Sequence, residues 1–325
     1  MKVAVLGTGA YGIALAKVVH GNKFEVCMWT KFETELNSLL KHRVNKFVLP
    51  DVKIPRKIKI TSSMEEAIKD AKLIIVAVPA GALDSVFQEL KLYIKKDQYI
   101  CIASKGIEQD TCNFAHDVLL RHIKTDKYAL ISGPSFAIDI INHEPIGLTL
   151  ASTNDEVCKL ISKVFENSYL RLRRTNDIIG VEICGSIKNV IAIAAGILKG
   201  MGYSESAQAM LITESLHDIK GLIKALGGSE NTILSYAGFG DLLLTATSMK
   251  SRNFSFGHMI GSKAKQKEID NYMNSTTIEG LYTLKSIHQL IEDKNVDMPI
   301  INLINDIIYN NEEPRELCCF LIEKD

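Results

Sequence analysis

Lys188 lies in Gly185-Ser186-Ile187-Lys188-Asn189-Val190-Ile191-Ala192-Ile193-Ala194-Ala195, a run made almost wholly of small or apolar residues. An ammonium taken out of water costs several kcal/mol unless it finds a partner or sheds its proton, so a lysine placed here is expected to have a lowered pKa and an exchangeable proton. That suits acid/base chemistry near neutral pH. In the plainer reading of the same run, the stem lies along apolar surface and the head reaches water. Asp241 follows Gly238-Phe239-Gly240 and precedes Leu242-Leu243-Leu244; it is either a helix N-cap or the carboxylate of a buried cation. Ser251-Arg252-Asn253 offers a hydroxyl, a guanidinium fork and an amide in consecutive positions, an inventory for a phosphate or else a solvated turn after Met249-Lys250.

These side chains need elements to hold them. Val3 to Leu6 reads as a short strand, followed by Gly7-Thr8-Gly9-Ala10-Tyr11-Gly12 and a helical pattern from Ile13. In such a strand–glycine turn–helix unit the first glycine permits the tight turn and the second lets backbone approach a pyrophosphate. The third lets the helix pack on the strand, and the helix N-terminus faces the phosphates. The next strand, Glu25 to Trp29, arrives where a βαβ unit places it. Beyond it, where an acid that selects NAD usually stands, the chain reads Thr30-Lys31-Phe32-Glu33. Lys31 favours a 2′-phosphate while Glu33 could supply the missing carboxylate, so NAD and NADP both stay open.

Further strands are expected in the runs Leu73–Pro79, Tyr99–Gly106, Tyr128–Ser132, Pro145–Ala151 and Tyr169–Leu172, the first two buried and parallel. Lys105 falls just past its strand's carboxyl end, the edge where open α/β sheets bind ligands, and reads as a ligand lysine or a solvated loop residue. From about Ile178 the pattern changes to long helical periodicity with glycine breaks at Gly196 to Gly202, Gly227-Gly228 and Gly238 to Gly240. The expected plan is α/β: a Rossmann-like doubly wound sheet over residues 1–178, followed by an all-helical domain over 179–325.

Composition narrows the class. At 325 residues, 46% hydrophobic and 23% charged, the chain has the profile of a globular protein of two domains. Lys+Arg and Asp+Glu both number 38, so no global field draws it to nucleic acid or anionic membrane, and an anionic ligand must be caught locally. The N-terminal residues read as a strand and not a signal peptide, and no unbroken apolar run is long enough for an integral membrane segment. Seven cysteines show no CxxC pair and no metal-ligand spacing with histidine; a reduced cytoplasmic chain without a metal is expected. Vicinal Cys318-Cys319 is expected to be a buried, inert pair.

With the glycine fingerprint, Lys105-Gly106, Ser132-Gly133-Pro134-Ser135-Phe136-Ala137, Lys188-Asn189-Val190, Gly238-Phe239-Gly240-Asp241 and Ser251-Arg252-Asn253 in that order, the chain resembles the bacterial NAD(P)-dependent glycerol-3-phosphate dehydrogenases over nearly its whole length. The resemblance implies interconversion of dihydroxyacetone phosphate and sn-glycerol 3-phosphate, feeding glycerophospholipid synthesis, in a homodimer. It makes Lys188 the proton donor to the ketone oxygen, Asp241 and Thr245 the groups that orient it, and Lys105 and Asn189 substrate contacts. Ser251, Arg252 and Asn253 hold the phosphate, and Gly133, Ser135 and Ala137 line the junction of substrate and cofactor. Gly7, Gly9, Ala10, Tyr11, Gly12, Lys31, Lys105, Ala137, Arg252, Thr277 and Glu279 fall to the cofactor.

Some positions depart from the pattern. Leu211-Ile212-Thr213-Glu214-Ser215 stands where bacterial members often read Leu-Ile-Thr-Arg-Gly, Ser206 stands where asparagine is common, and Ala10 replaces a frequent serine. Two other readings fit part of the pattern: a β-hydroxyacid or ketopantoate-type reductase, whose substrate would be a carboxylate, and a dinucleotide-binding sensor without turnover.

Overall fold

The computed structural model describes residues 1–109, 111–294 and 296–322. The chain forms two compact units, Met1–Lys105 with Ala115–Ile178, and Gly106–Phe114 with Ile179–Asp325. A single cut after residue 178 therefore misplaces Gly106–Phe114. The cause is apolar burial: Ile107, Cys112 and Phe114 sit in the hydrophobic cluster of the second unit, where the Cys112 thiol donates to the Ser286 carbonyl (3.3 Å).

The first unit carries strands β1 (Lys2–Leu6), β2 (Glu25–Trp29), β3 (Lys59–Thr61), β4 (Ala71–Val76), β5 (Tyr99–Ile102), β6 (Tyr128–Ser132), β7 (Ile146–Ala151) and β8 (Leu170–Thr175). They form one sheet in the order β3-β2-β1-β4-β5-β6-β7-β8. Every neighbouring pair is parallel except β6 and β7. Helices α1 (Ala10–Gly21), α2 (Glu33–His42), α3 (Met64–Ile68), α4 (Leu83–Leu90), α5 (Ala115–His122), α6 (Ala137–Ile141) and α7 (Asp155–Phe165) connect the strands. Val3–Leu6, Leu73–Val76 and Tyr99–Ile102 are buried throughout, which is why these strands read as continuous apolar runs. The chain leaves β1 for β2 on one side and returns to β4 on the other, so the carboxyl ends of β1 and β4 form the switch point at which doubly wound sheets bind ligands. Strand β3 was not foreseen, because it has three residues and sits among Arg56, Lys57 and Lys59, too short for a period to register.

The second unit carries α8 (Ile178–Gly200), α9 (Glu205–Ala225), α10 (Asp241–Ala246), α11 (Arg252–Gly261), α12 (Gln266–Ser275), α13 (Glu279–Lys294), α14 (Pro299–Tyr309) and α15 (Glu316–Ile322). Helix α8 is its axis. Nearly every residue from Gly180 to Leu198 is buried, the condition of a helix that is apolar all round. By length and composition it could cross a membrane, but 94% of its most apolar window is buried inside the protein, as in a globular core helix.

The expected break beginning at Gly196 does not occur, since α8 runs unbroken to Gly200. The glycines serve packing instead. A Cβ on Gly196 would overlap the Phe254 carbonyl oxygen and one on Gly200 that of His258; from the other side, Cβ atoms on Gly257 and Gly261 would overlap the carbonyl oxygens of Ile193 and Ile197. Helices α8 and α11 thus meet backbone to backbone through two glycines on each, one turn apart, and each glycine forgoes about 0.5–1 kcal/mol of helix propensity relative to alanine for that approach.

Two residues at the departures from the family pattern acquire structural roles or neighbours. Ser215 is fully buried and its hydroxyl donates to the Leu211 carbonyl one turn back (2.7 Å). Glu214 is exposed and adds its charge near Asp218 on the same helix. Burial, with help from Asp297 and Glu214, pushes Asp218 up to about 7, although its Oδ2 accepts from the Ile300 N–H at the start of α14 (3.2 Å). The Cys318–Cys319 pair is half-buried, not buried as expected, because α15 turns only Leu317 and Leu321 inward.

Gly257→Ala is expected to force α8 and α11 apart, lowering stability by about 1–3 kcal/mol in urea unfolding. For Asp218 the sign is fixed by a raised folded-state pKa. The ionisation cost is absent below the unfolded value near 3.8, grows as pH rises and is complete above about 7. Asp218→Asn keeps an acceptor for Ile300 and is expected to raise the thermal midpoint at about pH 8 while leaving it nearly unchanged at about pH 4.

Candidate active site

Lys188 projects from the buried middle of α8 and is itself 8% exposed. Its Nζ donates to Asp241 Oδ1 (2.7 Å) and to Thr245 Oγ1 (3.0 Å). Both acceptors sit on one face of α10, a turn apart, and Thr245 in turn donates to the Asp241 carbonyl (2.6 Å). Asp241 is 1% exposed and is the first residue of α10; no side chain caps that helix, so of the two sequence readings the structure takes the paired carboxylate. Lys188 has found a partner, and the reading with its head in water is excluded.

Next to Lys188, Asn189 Oδ1 accepts from Asn253 Nδ2 (2.9 Å), and Asn253 Oδ1 accepts from the Gly280 N–H (2.8 Å). One amide therefore ties α8, α11 and α13 together. Ser251 caps α11, its Oγ accepting from the Phe254 N–H (3.3 Å), and Arg252, the first helical residue, is exposed. No acidic side chain occupies the first turn of α11. A helix N-terminus with an arginine in its first position has the charge and the orphan N–H groups that suit an anion. Thr277 is exposed and Glu279 half-buried at the start of α13.

In the first unit the glycine loop divides the labour as the motif implies. Gly7 has φ +118°, and a Cβ there or on Gly12 would overlap the carbonyl oxygens of Ala77 and Gly7 respectively; on Gly9 it would meet nothing within 4 Å. The first turn of α1 has no acidic residue and no side-chain cap. The Gly9 side of the turn is therefore open and the α1 N-terminus uncapped by any acidic or capping side chain, as close approach of a pyrophosphate to the backbone requires. Tyr11 Oη and Ser135 Oγ lie 3.1 Å apart, and Lys105 Nζ donates to the Gly133 carbonyl (3.3 Å), so the loops after β1, β5 and β6 converge on one sheet edge. Ala137 opens α6 beside them.

Past β2, Lys31 is exposed and Glu33 accepts from the Ser62 hydroxyl. The carboxylate that orders this corner is Glu35. It accepts from Thr30 Oγ1 and from Asn45 Nδ2 (3.0 Å), and Asn45 also donates to the Thr8 carbonyl of the glycine loop (3.0 Å). Nothing in the spacing of Thr30, Glu35 and Asn45 signalled this; the pairing exists only once α2 and the following loop fold back.

A nucleotide loop at a Rossmann-type switch point and a buried lysine–carboxylate pair in a helical unit define a two-unit dinucleotide-dependent oxidoreductase. Residues 2–158 match the model of the NAD-dependent glycerol-3-phosphate dehydrogenase N-terminus and residues 177–319 that of its C-terminus, so the chain belongs to this family. It is 36% identical to a glycerol-3-phosphate dehydrogenase [NAD(P)+] of Staphylococcus haemolyticus, covering 100% of this chain and 98% of that protein. A homonymous protein of Leuconostoc mesenteroides is also 36% identical, with 99% and 98% covered. The crystal structure of glycerol-3-phosphate dehydrogenase from Coxiella burnetii superposes with a TM-score of 0.93 at 30% identity, covering 99% of each chain.

Asp241→Asn leaves a buried ammonium uncompensated and is expected to cost about 3–5 kcal/mol in equilibrium unfolding. The double variant Lys188→Met with Asp241→Leu removes both charges and should recover most of that loss.

Proposed function

We propose that this chain interconverts dihydroxyacetone phosphate and sn-glycerol 3-phosphate with NAD(P)H, and that Lys188 is the general acid of reduction and the general base of oxidation. The observation that carries the reading is the buried Lys188 ammonium, held by Asp241 and Thr245 next to an N-terminus that carries Arg252. When bound, the nicotinamide supplies or accepts the hydride.

The chain's own residues do the rest. Lys188 Nζ gives a proton to the ketone oxygen as the carbonyl carbon is reduced, and takes it back from the alcohol in reverse. Asp241 holds that ammonium in a water-poor site and Thr245 sets its direction, so the proton is delivered from a fixed point. Arg252 and the first-turn N–H groups of α11 neutralise the phosphate dianion, and binding energy spent there positions the reacting carbon. Asn253, occupied by Asn189 and Gly280, acts chiefly by holding this corner in place. Gly7, Gly9, Ala10, Tyr11 and Gly12 would hold the dinucleotide, with Lys31 past β2 tolerant of NADP. Lys105, Gly133, Ser135 and Ala137 serve the substrate–cofactor junction, and Thr277 and Glu279 the cofactor.

All seven cysteines are free, which supports a cytoplasmic setting. A homodimer feeding glycerophospholipid synthesis is part of the same reading, and sedimentation tests the oligomeric part.

Oxidation of NADH or NADPH by purified protein is expected with dihydroxyacetone phosphate. Lys188→Ala should lower kcat by about 10²–10⁴-fold with cofactor affinity unchanged, and Arg252→Ala should act mainly by raising KM for the phosphate substrate. Cofactor binding by the wild type without oxidation of either nucleotide would overturn the reading in favour of a carboxylate substrate or a sensor.

A further inference from the structure

The amino edge of the first unit's sheet, opposite the edge that carries the glycine loop, bears a local excess of positive charge that the balanced whole-chain count conceals. Helix α4 runs back from the carboxyl end of β4, so the turn 91–98 before β5 lies at this edge, beside the turn that opens β4 and the turn that opens β6. The first contributes Lys91, Lys95 and Lys96, the second Lys69 and Lys72, and the third Lys124 and Lys127. Against these seven lysines stand Asp70, Asp97 and Asp126 in the same turns, and Glu156, which accepts from the Tyr99 hydroxyl (3.1 Å). Farther along the edge Lys59 is paired with Glu25 (3.3 Å), so the excess lies on the side of β4, β5 and β6.

Hydrogen bonds hold the three turns together. Gln98 Nε2 donates to the carbonyls of Ile68 (2.8 Å) and Ala71 (2.7 Å), and its Oε1 accepts from the Lys95 N–H (2.8 Å). Lys72 Nζ donates to the Asp97 carbonyl (2.8 Å) and Lys127 Nζ to that of Lys96 (2.9 Å). The same two ammoniums lie 5.2 and 5.5 Å from the centroid of the Tyr99 ring, within cation–π range. Several of the charges are therefore fixed on one face. Beside them Leu92 is 72% exposed and Tyr93 40%. Single exposed apolar residues are ordinary. Two in succession, flanked by Lys91, Lys95 and Lys96, make the pattern of a surface that rests on anionic lipid, in which hydrocarbon enters the headgroup layer, tyrosine sits at the interface and ammoniums meet phosphates.

We propose that this edge is a peripheral docking surface for an anionic phospholipid bilayer, with Leu92 and Tyr93 entering the headgroup layer and the lysines of the three turns meeting lipid phosphates. A nucleic acid or an acidic protein would use the charge but leave Leu92 without a role. The glycine loop lies at the other edge of the sheet, so docking here does not cover the nucleotide edge. The inference does not depend on the reaction catalysed at Lys188.

The test is co-sedimentation of the whole chain with vesicles of phosphatidylglycerol and phosphatidylcholine in equal parts, and with vesicles of phosphatidylcholine alone. In dilute buffer the chain is expected to sediment with the anionic vesicles only, and to be released at about 1 M salt, where charges are screened beyond about 3 Å. Lys95→Glu with Lys96→Glu should weaken binding about tenfold or more. The same reversal at Lys220 and Lys224, both exposed on α9, changes the net charge equally and should weaken it far less. Leu92→Ser should weaken binding about three- to tenfold, the value of partly burying one leucine. All the substituted positions are exposed, and unchanged thermal midpoints separate a lost contact from a lost fold. Three results would each overturn the proposal: no binding to anionic vesicles in dilute buffer, equal loss in the two charge-reversed variants, or binding indifferent to Leu92→Ser, which would assign the edge to polyanions such as nucleic acid.

Discussion

The rest of this molecule depends on the burial of one ammonium. Lys188 could not sit in the middle of α8 unless a carboxylate met it there, and Asp241, 1% exposed at 2.7 Å, is that carboxylate. The constraint spreads outward from the pair. Asp241 must open a helix at the right height, so the Gly238-Phe239-Gly240 turn bends the chain into α10, with Ser235 Oγ accepting from the Gly238 N–H (3.2 Å). Thr245 must follow one turn later, where its hydroxyl both receives from the lysine and anchors on the Asp241 carbonyl. A buried ion pair of this kind adds little net stability. What it provides is a proton held at a fixed point.

Close backbone contact provides the other constraint. Four glycines let α8 and α11 approach until the carbonyls of one nearly touch the Cα atoms of the other. Asn189, next to Lys188, thereby comes within hydrogen-bond reach of Asn253, and the N-terminus of α11 with Arg252 is drawn to the same corner. Lys188 and the Arg252 end of α11 are thus held by one helix crossing. In the first unit the parallel sheet does the equivalent work, gathering the loops after β1, β5 and β6 at one edge. There Gly7 and Gly12 close the turn and leave the Gly9 side open.

Much of this was legible in the chain. Strands β2 and β6 lie where the apolar runs begin and end, because strands buried on both faces write continuous β-rich segments into the sequence. Other elements were not legible. Three-residue β3 is too brief for periodicity, and Gly106–Phe114 joins the helical unit only because Ile107, Cys112 and Phe114 find its core. Gly196 reads as a break until α11 is seen against it. The matching four-residue spacing of Gly196 to Gly200 and of Gly257 to Gly261 acquires its meaning only when the two helices are seen in contact.

By itself the sequence determined the class of the longer elements, the glycine loop at the first strand's end, and the inventory of groups able to move a proton or hold a phosphate. These are local properties: apolar period, backbone freedom and side-chain chemistry act over a few residues. Tertiary structure alone decided that Asp241 is the partner of Lys188 and not a cap, that Asn253 serves as a tie between three helices, and that Glu35 and not Glu33 orders the corner past β2. Each of those facts joins groups far apart in the chain or depends on what shields them from water. No period or spacing encodes that, because the energy of a buried polar group is set by its neighbours in space.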